Sequence, residues 1–456
     1  MGTTTHTPPY AVHELIACQI AGVTAEGVGY AHCRGADEHP WTLRVPGTAP
    51  GDLVRVGVEA WSRYHFHGWA RVDAIVSRSD AFREAPCPHA APLNGKCGGC
   101  AVQHISEDAQ RTSKRERVIA ALASEGLPTS TVADDVHATA AWNYRNRAQF
   151  LIGFDGDGPF LGSRIPGSRR MARMQGCAVM RPELRRVALA AERAIGSHPR
   201  SQIRFVSMRC AQDGSTLLEL ICGSEDPISR AIADDLSHSA DGVLFSINES
   251  KGNVVRGAAP EHVHGLPHVS HTLGDVTWQV DTVPFLQLNH EIGAKLVADV
   301  VSLAGTPKVT WDLYGGIGAF GLPIAKASDG EVVLIERDGR ALEAARVAGA
   351  GLPAEFIQAA LTDKSLGFNP RSLPTPDLVV VDPPRKGLGS AVRELLAEVA
   401  APIISVSCNP ETFAADVAFF VQRGWRLGEV RLYDMLPQTP QVELVARLQP
   451  PSAPAK

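Results

Sequence analysis

The rhythm of hydrophobic positions changes along the chain, and each change marks a region. From about residue 10 to 80, stretches such as GVTAEGVGYAH, WTLRVPGTAPGDLVRVGVEAW and GWARVDAIV are short and apolar, broken by glycine and proline. That pattern predicts short β-strands, and a small closed barrel of the oligonucleotide-binding type accommodates them. HISEDAQRTSKRERVIAALASEG reads as a helix, and residues 140 to 270 mix strands such as AQFLIGF, LLELICG and GVLFSIN with helical stretches. From Pro307 the rhythm becomes strand, loop, helix, with strands KVTWDLY, EVVLIE, LVVVDPP and PIISVSC. Near-continuous apolar runs of this kind belong to a buried parallel sheet. RLGEVRLYDMLPQ and VELVARL read as a closing antiparallel pair. The expected fold class is α/β: a doubly wound, Rossmann-like domain over 286–450, preceded by a barrel at 10–80 and an α+β central domain at 81–285.

Composition narrows the function classes. A chain of 456 residues exceeds one small domain. With 44% hydrophobic and 20% charged residues it has an ordinary soluble composition. No apolar run is long enough to predict a membrane span. MGTTTHTPPY lacks the basic and apolar regions of a signal peptide, and its myristoylation-like start has no second anchor, so a cytoplasmic location is expected. The tail PPSAPAK reads as disordered.

Net charge is −5, so there is no bulk basic surface. Locally, six arginines (145, 147, 164, 169, 170, 173) face two aspartates between residues 144 and 173. They form either a phosphate-contacting patch or a solvated face. Nine cysteines, an odd count without an export signal, argue against a disulfide framework. Metal binding and nucleophilic chemistry remain.

KVTWDLY runs into Gly315-Gly316-Ile317-Gly318-Ala319-Phe320-Gly321, where glycines let a ligand approach the backbone. Glu336 ends the next strand, 24 residues after Asp312, where an acid can bond ribose hydroxyls. The glycine spacing also matches a dinucleotide fingerprint, so a nicotinamide oxidoreductase is an alternative here. Two further features separate the readings. Asp382-Pro383-Pro384 and Ser407-Cys408-Asn409-Pro410 each follow a predicted strand. Ligands of open α/β sheets bind at the carboxyl edge, so an aspartate and a cysteine would face the pocket.

Cys18, Cys33, Cys210 and Cys222 read as small buried hydrophobes. Cys408 differs because Asn-Pro places it in a loop, where a thiol of lowered pKa would be reactive. Glu443 opens VELVARL; if that strand is antiparallel to its neighbours, Glu443 lies at the same edge as Asp382 and Cys408. The bland alternative is an ordinary edge-strand carboxylate. Cys87, Cys97 and Cys100 form C-x₉-C-x₂-C, and Cys177 follows 77 positions after Cys100. Four thiolates suit zinc or an iron–sulfur cluster, and spacing does not choose between them.

Together these residues resemble the RNA 5-methyluridine methyltransferases, over nearly the whole chain. Val45-Pro46-Gly47 is similar to an element of their TRAM barrel, CGGC with its outlying cysteines to their [4Fe–4S] site, and YRNRAQF (144–150) to their central domain. Phe285-Leu286-Gln287-Leu288-Asn289 resembles their F-x-Q-x-N. The resemblance implies an S-adenosylmethionine-dependent enzyme acting on structured transfer or ribosomal RNA. Gln287, Tyr314, Glu336 and Asp382 would hold the cofactor; Cys408 would be the nucleophile and Glu443 the general base. Cys87, Cys97, Cys100 and Cys177 would carry the cluster.

The chain departs from the pattern at Gln441, where histidine is usual, and at Gly315, where cysteine is usual. Ala319 and Ala360 replace polar residues, and the first cluster spacing is longer. A redox enzyme and an RNA-binding protein without turnover are the competing classes; intact Cys408 and Glu443 argue against the second. One chain holds every part, so a monomer is expected.

Overall fold

The computed structural model describes residues 7–34, 39–91, 97–165, 168–174, 176–250, 255, 259–362 and 364–451. The amino-terminal MGTTTH and most of the tail lie outside them. The chain forms two compact units: one of residues 1–117, 163–174 and 436–441, the other of 118–162, 175–435 and 442–456.

The first unit is built on alternation. In Pro40–Val45 and Leu53–Trp61, every second side chain (Trp41, Leu43, Val45; Val54, Val56, Val58) enters one core with Ile20, Ala31 and Ala70. Leu15–Gln19 pairs with Leu53–Trp61, and Gly22–Val23 pairs with Gly29–Arg34 at the other end of the sheet. The link between them keeps bonding: the Ile20 amide donates to the Asp52 carbonyl at 2.9 Å and the Ala21 amide to the Tyr30 carbonyl at 2.7 Å. One bent strand thus joins both edges and closes the barrel. The other pairs are antiparallel except Pro40–Val45 with His67–Ser77. Gly29 is required by crowding, since a Cβ there would lie 2.1 Å from Thr48 Oγ1.

The second unit holds two large sheets. In the central one, Gly158–Arg164, Arg147–Asp155, Ile203–Cys210, Thr216–Cys222, Gly242–Ile247 and Glu261–Gly265 lie side by side in that order. Neighbours are antiparallel except Thr216–Cys222 with Gly242–Ile247.

The other sheet contains β1 (Val132–His137), β2 (Val309–Leu313), β3 (Glu331–Glu336), β4 (Ala354–Gln358), β5 (Leu378–Val381), β6 (Ile403–Ser407), β7 (Arg426–Tyr433) and β8 (Glu443–Gln449). Its helices are α1 (His290–Ala304), α2 (Gly321–Ser328), α3 (Gly339–Ala348), α4 (Ser390–Val399) and α5 (Pro410–Val421). The spatial order is β4-β3-β2-β5-β6-β8-β7-β1. Strands β2 to β6 are parallel; β8 runs antiparallel between β6 and β7.

Val333, Ile335, Val379, Val381 and Ile403 pack on one face against Val392, Leu396, Phe413 and Val417 of α4 and α5. Asn289, Asp338 and Asn409 cap α1, α3 and α5 by accepting backbone N–H bonds. The strand order reverses between β2 and β5, and a crevice opens outside such a switch point. The short β4 and the edge strand β1 were not legible as strands: AEFIQ and VADDVH carry too few apolar positions.

Candidate active site

The site grows from four strand ends. Beyond β2, Tyr314 turns the chain with φ of 61° and Gly316 continues at 56°. A Cβ on Gly315 would sit 2.8 Å from Leu334 Cγ, whereas one on Gly316 would meet nothing within 4 Å. The loop therefore packs tightly on one side and leaves open space on the other. Glu336, at the end of β3, fastens it: its carboxylate accepts from Gly316 N at 3.1 Å and from Arg337 N and Asp338 N at 2.8 Å each. Trp278 Nε1 donates to the Ile317 carbonyl at 2.6 Å, holding the same loop from the hairpin Val269–Leu273/Val276–Val280.

Asp312, inside β2, is fully buried. Its Oδ2 accepts from Gly321 N at 2.9 Å, but Oδ1 has no partner among the described residues. Burial, reinforced by Asp382 and Glu336, pushes its carboxyl up to about 7. In the sequence Asp312 stands out only by its spacing from Glu336. An acid in an otherwise apolar strand, WDLY, was the available signal.

Asp382 follows β5, and Cys408 follows β6. The two loops are tied together, because the Arg385 carbonyl accepts from Asn409 Nδ2 at 2.8 Å and from Thr412 Oγ1 at 3.2 Å. In the antiparallel β6–β8 pair, Ser407 lies opposite Leu444, so Cys408 and Glu443 are the next positions outward. Antiparallel β8 thus starts where β6 ends, and Glu443 stands at the edge with Asp382 and Cys408.

Electrostatics show that these groups feel one another. Asp382 and Glu443 keep some contact with solvent yet lie deep. Burial lifts Asp382 to about 7; burial and Asp382 lift Glu443 to about 8, against the pull of Arg385. The half-buried Cys408 thiol is pushed up to about 11 by burial, Glu443 and Asp382, again opposed by Arg385. The lowered thiol pKa that reactivity needs is therefore absent here: burial raises it most, Glu443 and Asp382 add to that, and Arg385 does not offset them.

Gln287 is buried in the segment before α1, where its backbone carbonyl accepts from Asn146 Nδ2 at 2.9 Å. Its carboxamide makes no hydrogen bond to this acid group among the described residues. Gln441 belongs to the first unit, and its amide donates to Thr439 Oγ1 at 3.3 Å.

The cysteine set divides. Cys87, Cys97 and Cys100 are buried in the first unit, and Cys97 Sγ accepts from Gly99 N at 3.3 Å and from Ser163 Oγ at 3.6 Å. Cys177 is half-buried in the second unit. Among the described residues, no group of three or more histidine, cysteine or acidic side chains is arranged to hold a metal ion. Burial raises the remaining thiols, Cys33 to about 11 and Cys210 and Cys222 to about 12.

The arginine run is also divided. Arg164, Arg169 and Arg170 are exposed, but Arg147 is half-buried and donates to the Val283 carbonyl at 3.4 Å. No helix among the described residues is long and apolar enough to cross a membrane.

A glycine loop fastened by an acid at a switch point, with an orphaned buried carboxyl behind it, defines a methyltransferase-like α/β site. The comparisons agree. Residues 375–449 match the family described as tRNA (Uracil-5-)-methyltransferase. An uncharacterised RNA methyltransferase of Gloeobacter violaceus is 29% identical, covering 96% of each chain. One from Caldanaerobacter subterraneus is 27% identical over 96% of this chain and 99% of its own. The structure of Pyrococcus abyssi tRNA (uracil-54, C5)-methyltransferase, in complex with S-adenosyl-L-homocysteine, superposes with a TM-score of 0.74 at 25% identity. That match covers 95% of this chain and 100% of the other. The chain is an RNA methyltransferase, and its residues 375–449 carry the match to the uracil-C5 family.

Proposed function

We propose that the protein transfers a methyl group from S-adenosylmethionine to carbon 5 of a uridine in transfer or ribosomal RNA, with Cys408 as nucleophile and Glu443 as base. The observation that carries this reading is the meeting of Cys408, Glu443 and Asp382 at one sheet edge beside the glycine loop.

The residues fit the cofactor. A cationic ligand suits an edge where Asp312, Asp382 and Glu443 all have raised pKa values and Asp312 Oδ1 lacks a partner. The open side of Gly316 admits it, Glu336 would hold its ribose, Tyr314 would flank it, and Gln287 and Asp382 would hold its amino-acid part. When bound, S-adenosylmethionine supplies an electrophilic methyl group on a positively charged sulfur.

Carbon 5 of uracil is too weak a nucleophile to take a methyl group directly. The Cys408 thiol gives its proton to solvent and adds as the thiolate to carbon 6, forming a C–S bond and moving the ring π-electrons toward carbon 5 as an enolate. After methylation, Glu443 in its ionised form removes the proton from carbon 5 and passes it on to solvent. That electron pair restores the C5–C6 double bond and expels the Cys408 thiolate. The uridine must leave its stack to reach the sulfur.

The barrel, of the TRAM and oligonucleotide-binding type, together with the exposed arginines 164, 169 and 170, would contact RNA by shape and phosphate charge. Cys87, Cys97, Cys100 and Cys177 would hold a [4Fe–4S] cluster. The amide and hydroxyl donors on Cys97 Sγ suit a thiolate ligand. A cytoplasmic monomer completes the reading.

Nucleoside mass spectrometry of separated transfer and ribosomal RNA, from a deletion strain beside its parent, tests the function. Loss of 5-methyluridine from one fraction names the substrate class. No loss in either, together with inactivity of the purified protein on both RNAs, sinks the reading. Iron and acid-labile sulfide assays on anaerobically purified protein test the cluster, and absence of both removes it.

A further inference from the structure

The segment from Asp281 to Leu288 delivers Gln287 to α1, and the central sheet grips it almost residue by residue. Thr282 Oγ1 donates to Glu219, which is buried and also accepts from Ser246 Oγ at 2.6 Å. Arg147 donates to the Val283 carbonyl, and Arg209 Nη2 to the Pro284 carbonyl. Asn146 holds the Gln287 carbonyl through Nδ2 and the Leu288 carbonyl through its backbone amide at 3.0 Å. These groups come from three adjacent strands and the residue preceding one of them.

Arg209 is the costly member. It is fully buried, and its register partner on the neighbouring strand is Arg147. Like charges directly opposite each other destabilise a sheet. Its Nε and Nη1 find no partner among the described residues. Burial and Arg147 pull it down to about 9, so it still carries its charge at neutral pH. An apolar side chain would fill the same interior without these costs. What only the guanidinium provides is a charge-assisted bond to a carbonyl in a stretch where proline supplies no backbone donor.

We infer that Arg209, with Arg147 beside it, is a positioning residue that fixes the Gln287 segment for cofactor binding. This rests on the reading that Gln287 contacts the cofactor. The central sheet then serves the reaction from beneath, acting through a loop and touching neither substrate.

Hydrogen exchange of Arg209→Met against the parent tests it, paired with the Kd for S-adenosylhomocysteine. Residues 282–288 should exchange at least about tenfold faster while the flanking strands stay protected. The Kd should rise about tenfold, with KM for S-adenosylmethionine following and kcat at saturation falling less than about threefold. Arg209→Lys, which keeps a buried cation but loses the planar fork, should recover part of both.

Unchanged exchange in the segment overturns the inference, and so does a rise spread evenly over the chain. Should Arg209→Met not fold, Arg147→Gln at its half-buried position carries the same readout. Selective loosening there supports the role, and none overturns it. Selective loosening in a protein whose parent binds no S-adenosylhomocysteine keeps the positioning role and sinks the cofactor reading alone.

Discussion

Asp52 in the barrel and Asp312 in the parallel sheet are both fully buried, yet only one is fully bonded. Asp52 accepts from Ala49 N at 2.9 Å, Ser79 N at 2.9 Å and Arg78 Nη1 at 2.6 Å, pinning two turns and the end of a strand. Asp312 accepts one N–H, leaves Oδ1 bare and holds its proton up to about pH 7. Buried polar groups are bonded as a rule, because an unpaired one costs about 1–3 kcal/mol. The barrel's aspartate obeys that rule and stabilises its fold. The sheet's aspartate breaks it where a cationic ligand would complete it, and a perturbed acid in a cleft marks function. The contrast separates burial that holds a fold from burial that waits for a ligand.

The largest expected effect tests the functional side of the contrast. Cys408→Ala should lower methyl transfer by at least about 10⁴-fold while leaving the Kd for S-adenosylhomocysteine within about twofold. Normal turnover by that variant would remove the nucleophile from the mechanism. Glu443→Gln should slow turnover about 10²- to 10⁴-fold and leave a covalent RNA–protein adduct on denaturing gels. Free turnover without an adduct would show that another group takes the carbon 5 proton.

The paired aspartates then test the contrast itself. Asp52→Ala should cost about 1–3 kcal/mol of unfolding free energy, since it leaves the buried Ala49 amide without an acceptor and takes a partner from the half-buried Ser79 amide and the exposed Arg78 guanidinium. It should leave the S-adenosylhomocysteine Kd unchanged. Asp312→Asn should weaken that binding about tenfold and leave stability at pH 8 equal or higher. Urea unfolding and calorimetric titration measure both. If the two variants shift the same quantity in the same direction, the distinction fails.

The last test is the pH dependence of stability in the protein without cofactor. Asp312, Asp382 and Glu443 keep protons in the fold up to about pH 7 to 8. In the unfolded chain they lose them near their ordinary values, about pH 4. Between those limits the folded state binds more protons, so stability falls as pH rises through the window. Unfolding in urea at pH 5, 6.5 and 8 should show that fall, and Glu443→Gln should flatten it. A flat profile in the parent would mean that these acids ionise freely.

Much of the site was legible because its residues close predicted strands. WDLYGG, VVLIE, LVVVDPP and SVSCNP each end an apolar run at a polar or glycine residue, and parallel strands gather such ends at one edge. The order of strands could not be read, because β8 enters between β6 and β7 through pairings remote in sequence. Nor could the protonation of the site, which depends on how deeply four acids and one arginine lie together. Arg145 and Arg147 looked like surface charge in a basic run, and only packing turned Arg147 inward onto the Val283 carbonyl.

By itself, then, the sequence determined the elements and the chemistry available to them. Local periodicity dictates strand and helix, and the SCNP and DPPRKG segments carry their functional groups wherever they land. The tertiary structure decided which groups meet and at what cost. It set Glu443 against Cys408 through an antiparallel register, raised both by mutual burial, and left Asp312 Oδ1 without a partner. Register, burial and unpaired charge arise between residues far apart in the chain, and a one-dimensional pattern does not contain those distances.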